Sequence, residues 1–279
     1  MVALSALDLN MPRQQALAAM RASVSPDLWE ENAQFVAALR EQVRTHPISN
    51  HRALELLTSG AFSKDQMIRI HLEYRHAIVQ IFTDALLAAQ LEARQLEPRL
   101  APAAKIAPRF LLALNVFDEF GFRPGLDGEG YYRGSPLAAH YPLFEQVLDN
   151  YGVTAKQRAS YEPSVLAREV RRCLADSYAT YIDVVALLAV GEQEVIWFSP
   201  ALRDATALLG IDVSDGYYRV HGVSTDQNSE AADDDHEDDL WHVLTQALVP
   251  EDYDRVRRLC VTYSDLWDAF WMHQIVSAT

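Results

Sequence analysis

Ser63-Lys64-Asp65-Gln66-Met67-Ile68-Arg69-Ile70-His71-Leu72-Glu73-Tyr74-Arg75-His76-Ala77-Ile78-Val79-Gln80-Ile81-Phe82-Thr83-Asp84-Ala85-Leu86 is the stretch that decides the fold. Ser63 and Gln66 have the spacing of a capping box, in which each end of the motif satisfies a backbone N–H at a helix start. Ile70, Tyr74, Ile78, Phe82 and Leu86 then recur every four residues, with Ile81 and Ala85 beside them, which is the apolar face of a helix. The same helical period runs outward in both directions. Ser25-Pro26-Asp27 opens a helix through about Arg44, with proline in its first turn. Pro102 and Pro108 lead into an apolar helix over 110–120. Residues 164–191 read as one long helix, a further one runs over 200–210, and a last pair covers 233–249 and 251–276. Only 121–135 breaks the period, with Gly121, Pro124, Gly125, Gly128, Gly130 and Gly134, and reads as an inserted loop. No strand alternation or repeat is present in this reading. The expectation is an all-α, single-domain bundle of about eight helices over 1–279. Residues 1–26 would be an N-terminal extension, and 121–135 and 222–232 inserted loops.

Composition narrows the partners. The 279 residues are 49% hydrophobic and 23% charged, with 24 Lys+Arg against 39 Asp+Glu and a net charge of −15. Such a surface repels nucleic-acid phosphates and anionic lipid, so neither partner is expected. Seven of the acids, Glu230, Asp233, Asp234, Asp235, Glu237, Asp238 and Asp239, fall within ten residues, and without them −15 becomes −8. Cys173 and Cys260 show no CxxC spacing or disulfide framework, as in a reducing compartment. No leader pattern and no window of 18 uninterrupted apolar residues is found, so a cytoplasmic location is expected.

Chemistry in a helical bundle is carried by polar side chains that point inward, and burying one requires a partner, neutralisation or a metal. Glu119 shares its face with Val116, Asn115 and Leu112, and neighbouring Asp118 lies over Asn115, Leu114 and Leu111. His140 precedes Leu143, Phe144 and Val147 at helical offsets, although Pro142 leaves the helix start open. Glu192 follows Val185, Leu188 and Ala189, while Glu194 has a comparable claim through Val190 and Leu187. In the acid run, Asp233 and His236 share a face with Leu240, Val243 and Ala247, whereas Asp235, Asp239, His242 and Gln246 lie opposite and are expected at the surface. Both faces offer Asp-x-x-His, a spacing that lets carboxylate and imidazole reach one ion; Asp233/His236 is the apolar-side pair and Asp239/His242 the alternative. Glu73-x-x-His76 repeats that chemistry on the 63–86 stretch, where His71 shares the stripe of Tyr74 and Ile78. No nucleophile elbow, P-loop or dinucleotide fingerprint occurs.

In this order the residues resemble the heme-oxygenase-like diiron oxidases and oxygenases, whose helical fold is shared with thiaminase II and pyrroloquinoline-quinone synthase. Asp118-Glu119-Phe120-Gly121 followed by Ala139-His140-Tyr141 looks like the family's first Glu and His, here separated by the glycine-rich insert. Leu188-Ala189-Val190-Gly191-Glu192 looks like its middle Glu, and Tyr217-Tyr218-Arg219-Val220-His221 like the opening of its last motif. Leu266-Trp267-Asp268-Ala269-Phe270-Trp271 resembles the closing helix. The compact closing motif is absent, since Thr225 and Asn228 stand four and seven residues after His221. The resemblance therefore implies an insert before Asp233-Asp234-Asp235-His236. It implies Glu119, His140, Glu192, His221, Asp233 and His236 as ligands of two ferrous ions, with manganese as an alternative, and O2 as co-substrate. That set of oxygen and nitrogen donors suits iron or manganese rather than a thiolate zinc site. His71, Tyr74, Tyr131 and Tyr132 are the expected pocket lining. The implied substrate is a small amino-acid-like or fatty-acid-like metabolite, undergoing N-oxygenation, desaturation or C–C cleavage; a homodimer stays open. Two other readings compete: a metal-independent oxidase of the pyrroloquinoline-quinone synthase type, and a non-catalytic helical protein whose acid run docks a basic partner.

Overall fold

A computed structural model describes residues 11–221 and 232–277, with only the backbone described at 232–235. The architecture is all-helical around one continuous core. Helices α1 (Pro12–Ala22), α2 (Pro26–Arg44) and α3 (Arg52–Thr58) come first. The Ser25 side chain caps α2 by accepting from the Leu28 N–H. Residues expected as an N-terminal extension thus include, from residue 12, a helix that packs on α6 (Ile106–Glu119) and α12 (Ala232–Ala247).

Helix α4 (Lys64–Tyr74) begins on the Ser63–Gln66 capping box. It passes through a single π turn, Arg75–Val79, before α5 (Phe82–Glu92). A stripe spaced every four residues drifts by about 40° per step on an ideal helix. A π turn holds one extra residue and takes back about 100° of that drift. Ile70, Tyr74, Ile78, Phe82 and Leu86 therefore all stay buried across the join.

The expected single helix over 164–191 is two. Helix α9 (Val165–Asp176) stops where the Ser177 hydroxyl bonds the Leu174 carbonyl. Gln95 then brackets the turn, donating to the Ala179 carbonyl and accepting from the Tyr181 N–H. That second N–H starts α10 (Tyr181–Leu208), which continues through Pro200 and absorbs most of the expected separate helix over 200–210. Helix α10 is the axis of the fold. It packs against α3, α5, α12 and α13 (Tyr253–Val276), and its residues from Val184 to Val195 are all buried.

Two further differences bear on the site. The expected loop 121–135 is a hairpin, β1 (Phe122–Leu126) paired antiparallel with β2 (Tyr132–Gly134), both strands exposed. Strands this short and outward-facing leave no hydrophobic alternation to read. The acid run does not keep most of its described acids in water. Helix α12 is enclosed by α1, α2, α6 and α10, so Glu237 and Asp239 are buried and ion-paired, with Arg40 and Arg13 respectively. The expected loop 222–232 lies outside the described residues up to 231. Among the described residues, no helix is long and apolar enough to cross a membrane.

Candidate metal centre

Helix α6 delivers Glu119 at its last turn. The chain then reverses at Gly121, whose N–H bonds the Asp118 carbonyl and whose φ of +77° is a left-handed conformation suited to glycine. After the hairpin, the Ser135 N–H returns to the Gly121 carbonyl at 3.1 Å, and a short turn over Pro136–Ala138 leads to α7 (His140–Asn150). The base is tight: a Cβ on Gly121 would stand 2.5 Å from the Ser135 oxygen and the Ala138 carbonyl carbon. This closure makes His140, the first residue of α7, a neighbour of Glu119 despite the insert between them. His140 Nδ1 lies 2.9 Å from Glu119 Oε1, and both side chains are buried. Asp118 sits outside them, with Oδ2 at 3.7 Å from His140 Nε2.

His221 arrives from the short helix α11 (Tyr217–Val220). Its ring centroid is 4.3 Å from that of His140 and 4.4 Å from that of Tyr217. Helix α11 is held from behind by Tyr218, whose hydroxyl is 2.6 Å from His71 Nε2. His71 Nδ1 is 2.7 Å from the Met67 carbonyl, which can only accept, so Nδ1 carries the proton and Nε2 accepts from Tyr218. Burial pushes the His71 pKa down to about 4, so this imidazole is neutral. Glu119, His140 and His221 each offer a ligand atom, and these atoms lie within 4.8 Å of one another.

Glu192 faces the same cavity from the middle of α10. Asn115, one turn before Glu119, donates from Nδ2 to Glu192 Oε1 at 2.8 Å, and His236 Nδ1 stands 4.0 Å from that oxygen. Glu194 is on another side of α10, where its carboxyl meets the Tyr74 hydroxyl and Trp271 Nε1, each at 2.8 Å. The Asp239/His242 pair points elsewhere: Asp239 accepts from Arg13 Nε at 2.7 Å, and His242 Nδ1 is 2.7 Å from the Asp238 carbonyl. The side chain of Asp233 lies outside the described residues. Glu73 is a structural anchor, accepting from Tyr161 and from the Ser164 N–H and hydroxyl at the start of α9.

The pocket expectations are partly redrawn. Tyr74 lines the cavity, but His71 lies behind Tyr218, and Tyr131 and Tyr132 are 69% and 68% exposed on the hairpin. Tyr132 packs with Phe117 and Phe122 instead. Reading the insert as a loop gave no way to see that its aromatics face outward. Asn115 and Tyr217 are site residues that the sequence reading did not single out. Asn115 carried a signal, an amide on the Glu119 stripe among apolar residues, whereas nothing in the sequence marked Tyr217 above its neighbours.

Electrostatics and donor chemistry fit a cation. Burial alone would raise the Glu119 pKa, but His140, through charge and its hydrogen bond, and then His221 and His236 more than offset this and hold it below its ordinary value. Glu119 Oε1 and His140 Nδ1, 2.9 Å apart, are close enough to reach one ion. The cavity between the groups is about 20 Å³, room for one water-sized occupant. Neither cysteine lines it, and burial pushes the thiol of Cys173 up to about 11 and that of Cys260 up to about 12. The donors that converge are thus carboxylate and imidazole, with no thiolate among them.

The chain has the heme-oxygenase-like helical fold. A CADD-like protein of unknown function from Nostoc punctiforme superimposes with a TM-score of 0.62 at 15% identity, covering 89% of this chain and 99% of that one. A TenA homologue from Pseudomonas syringae gives 0.58 at 12% identity over 88% and 92%. The TenA homologue of P. horikoshii gives 0.54 at 14% identity over 88% and 97%. No protein-family model and no curated protein matches the chain.

Proposed function

We propose that the protein is a non-heme, O2-dependent oxidase or oxygenase that holds two iron ions and acts on a small amino-acid-like or fatty-acid-like metabolite. The observation that carries this reading is the buried convergence of Glu119, His140 and His221. Two imidazoles and one carboxylate are the donor set of non-heme ferrous oxygenases, and they leave coordination positions open for O2 and substrate. Glu192 and His236, with Asp233 from the same helix as His236, would hold the second ion; manganese is the alternative metal. Iron bound there would supply the O2 chemistry that side chains lack.

The chain's own residues have definable tasks. Asn115 fixes the Glu192 carboxylate by donating from Nδ2 to Oε1. Ile78, Val79, Phe82 and Val195 wall the space with apolar surface and exclude water from it. Three carboxylates would balance most of the charge of two divalent ions, which accounts for acids at buried positions.

One observation favours the metal-independent alternative: Glu119 and His140 are hydrogen-bonded to each other, as a carboxylate–imidazole acid–base pair would be. Anaerobic loading with ferrous iron, followed by O2, separates the readings. The expected result is O2 uptake that scales with loaded iron and is lost in His221→Ala. Uptake that survives removal of metal by EDTA would overturn the diiron reading.

A further inference from the structure

We propose that the hairpin inserted between Glu119 and His140 forms one wall of the substrate site, and that Arg123 on it anchors the carboxylate of a small substrate. This deepens the reading above and rests on it for the position of the reacting atoms. The cavity among the proposed ligands, about 20 Å³, holds a small group and no more, so the body of any metabolite lies outside it. Next to it is a cleft of about 900 Å³, within the size range of small-molecule sites. The two spaces share Tyr217, and Asp118, in the cleft, lies 3.7 Å from His140 Nε2. A ligand in the cleft therefore abuts the proposed centre.

The lining selects the ligand's chemistry. Arg123 reaches the cleft from β1 and Arg219 from α11. Arg219 lies 3.7 Å from Asp215, whereas the Arg123 guanidinium has no hydrogen bond or ion pair among the described residues. The hairpin register adds a second sign. Arg123 is directly opposite Arg133, and like charges at that position destabilise a strand pair. Arg133 Nε is occupied by the Leu126 carbonyl, which leaves Arg123 as the group that an anion would relieve. A guanidinium binds a carboxylate through two parallel hydrogen bonds. Asp118, Asp212 and Asp215 line the same cleft, so Arg123 marks the place in it where a carboxylate, rather than an ammonium, is held. Gln146 and Asn150 add polar surface to the wall, which suits a short polar molecule rather than a long acyl chain.

Ligand-observed NMR titration of the full chain with hexanoate, L-norleucine, hexylamine and dodecanoate tests this. Hexanoate and norleucine are expected to bind and hexylamine not to. Arg123→Gln should weaken hexanoate by about 10- to 100-fold. Arg123→Lys, which keeps the charge and loses the fork, should fall between the two, and Arg172→Gln on α9 should have no effect. Arg123 is exposed, and an unchanged melting temperature would show that the variants fold. Equal binding of hexylamine, hexanoate affinity unchanged in Arg123→Gln, or tighter binding of dodecanoate would each overturn the proposal. Iron content of the same samples separates the two readings. Iron retained without Arg123-dependent binding rejects the cleft alone, and Arg123-dependent binding without iron uptake rejects the metal centre alone.

Discussion

Glu194→Gln should leave stability nearly unchanged at acid pH and raise it at neutral pH. The Glu194 carboxyl is 1% exposed, and burial raises its pKa from 4.5 to about 8, against the lowering effect of Trp271 and Tyr74. Between those two values the unfolded chain has released a proton that the folded chain retains. Folded stability therefore falls as pH rises from 4.5 towards 8. From about pH 5 to about pH 7.5 the loss is roughly 2.3 units at about 1.4 kcal/mol each, ionisation being partial at both ends, or about 3 kcal/mol. Glutamine approximates the neutral acid, because its carbonyl accepts from Trp271 Nε1 as the carboxyl does and its amide faces the Tyr74 hydroxyl. Urea unfolding of both proteins in EDTA, at about pH 5 and about pH 7.5, reads the difference, since every other titrating group cancels between them. The variant is expected to match the wild type within about 1 kcal/mol at the lower pH and to exceed it by about 3 kcal/mol at the higher one. A difference that stays constant with pH, or moves in favour of Glu194, would refute the assignment of a protonated acid beside the cavity.

Three other perturbations have defined outcomes. Arg40→Ala strands Glu237, whose side chain is 1% exposed and, among the described residues, keeps only Arg44 at 3.5 Å and Trp241, and should cost about 3 kcal/mol in urea unfolding; a loss below about 1 kcal/mol would contradict the buried pair. Tyr218→Phe removes the donor to the buried His71 Nε2 and should lower stability by about 1–3 kcal/mol while far-UV circular dichroism stays unchanged. Gly121→Ala forces a side chain onto φ +77° and into the Ser135 and Ala138 backbone, so it should destabilise by about 2 kcal/mol or more and also reduce iron retention.

Local signals in the sequence were strong where they depended on neighbours. The Ser63–Gln66 box, the Ser25 cap and the four-residue stripe from Ile70 are set by residues within one or two turns, and the structure has all three. The inward placement of Glu119, His140 and Glu192 could also be read, because each follows or precedes apolar residues at helical offsets. What could not be read depends on distant chain. The α9–α10 break is held by Gln95, more than eighty residues away. Helix α12 carries Glu237 and Asp239 on two different sides, yet Arg40 from α2 and Arg13 from α1 pair with them and let both be buried. Glu192 and Glu194 were equivalent by offset, and only Asn115 on one side and Tyr74 with Trp271 on the other distinguish them. The four-residue period did contain a hint of the π turn, since it exceeds 3.6 over sixteen residues.

The proposed centre is tested most directly by elemental analysis of the chain after anaerobic loading with ferrous iron and removal of unbound metal. About two iron ions per chain are expected, falling by at least half in His140→Ala and in His236→Ala. Iron retention no greater in the wild type than in those variants would contradict it.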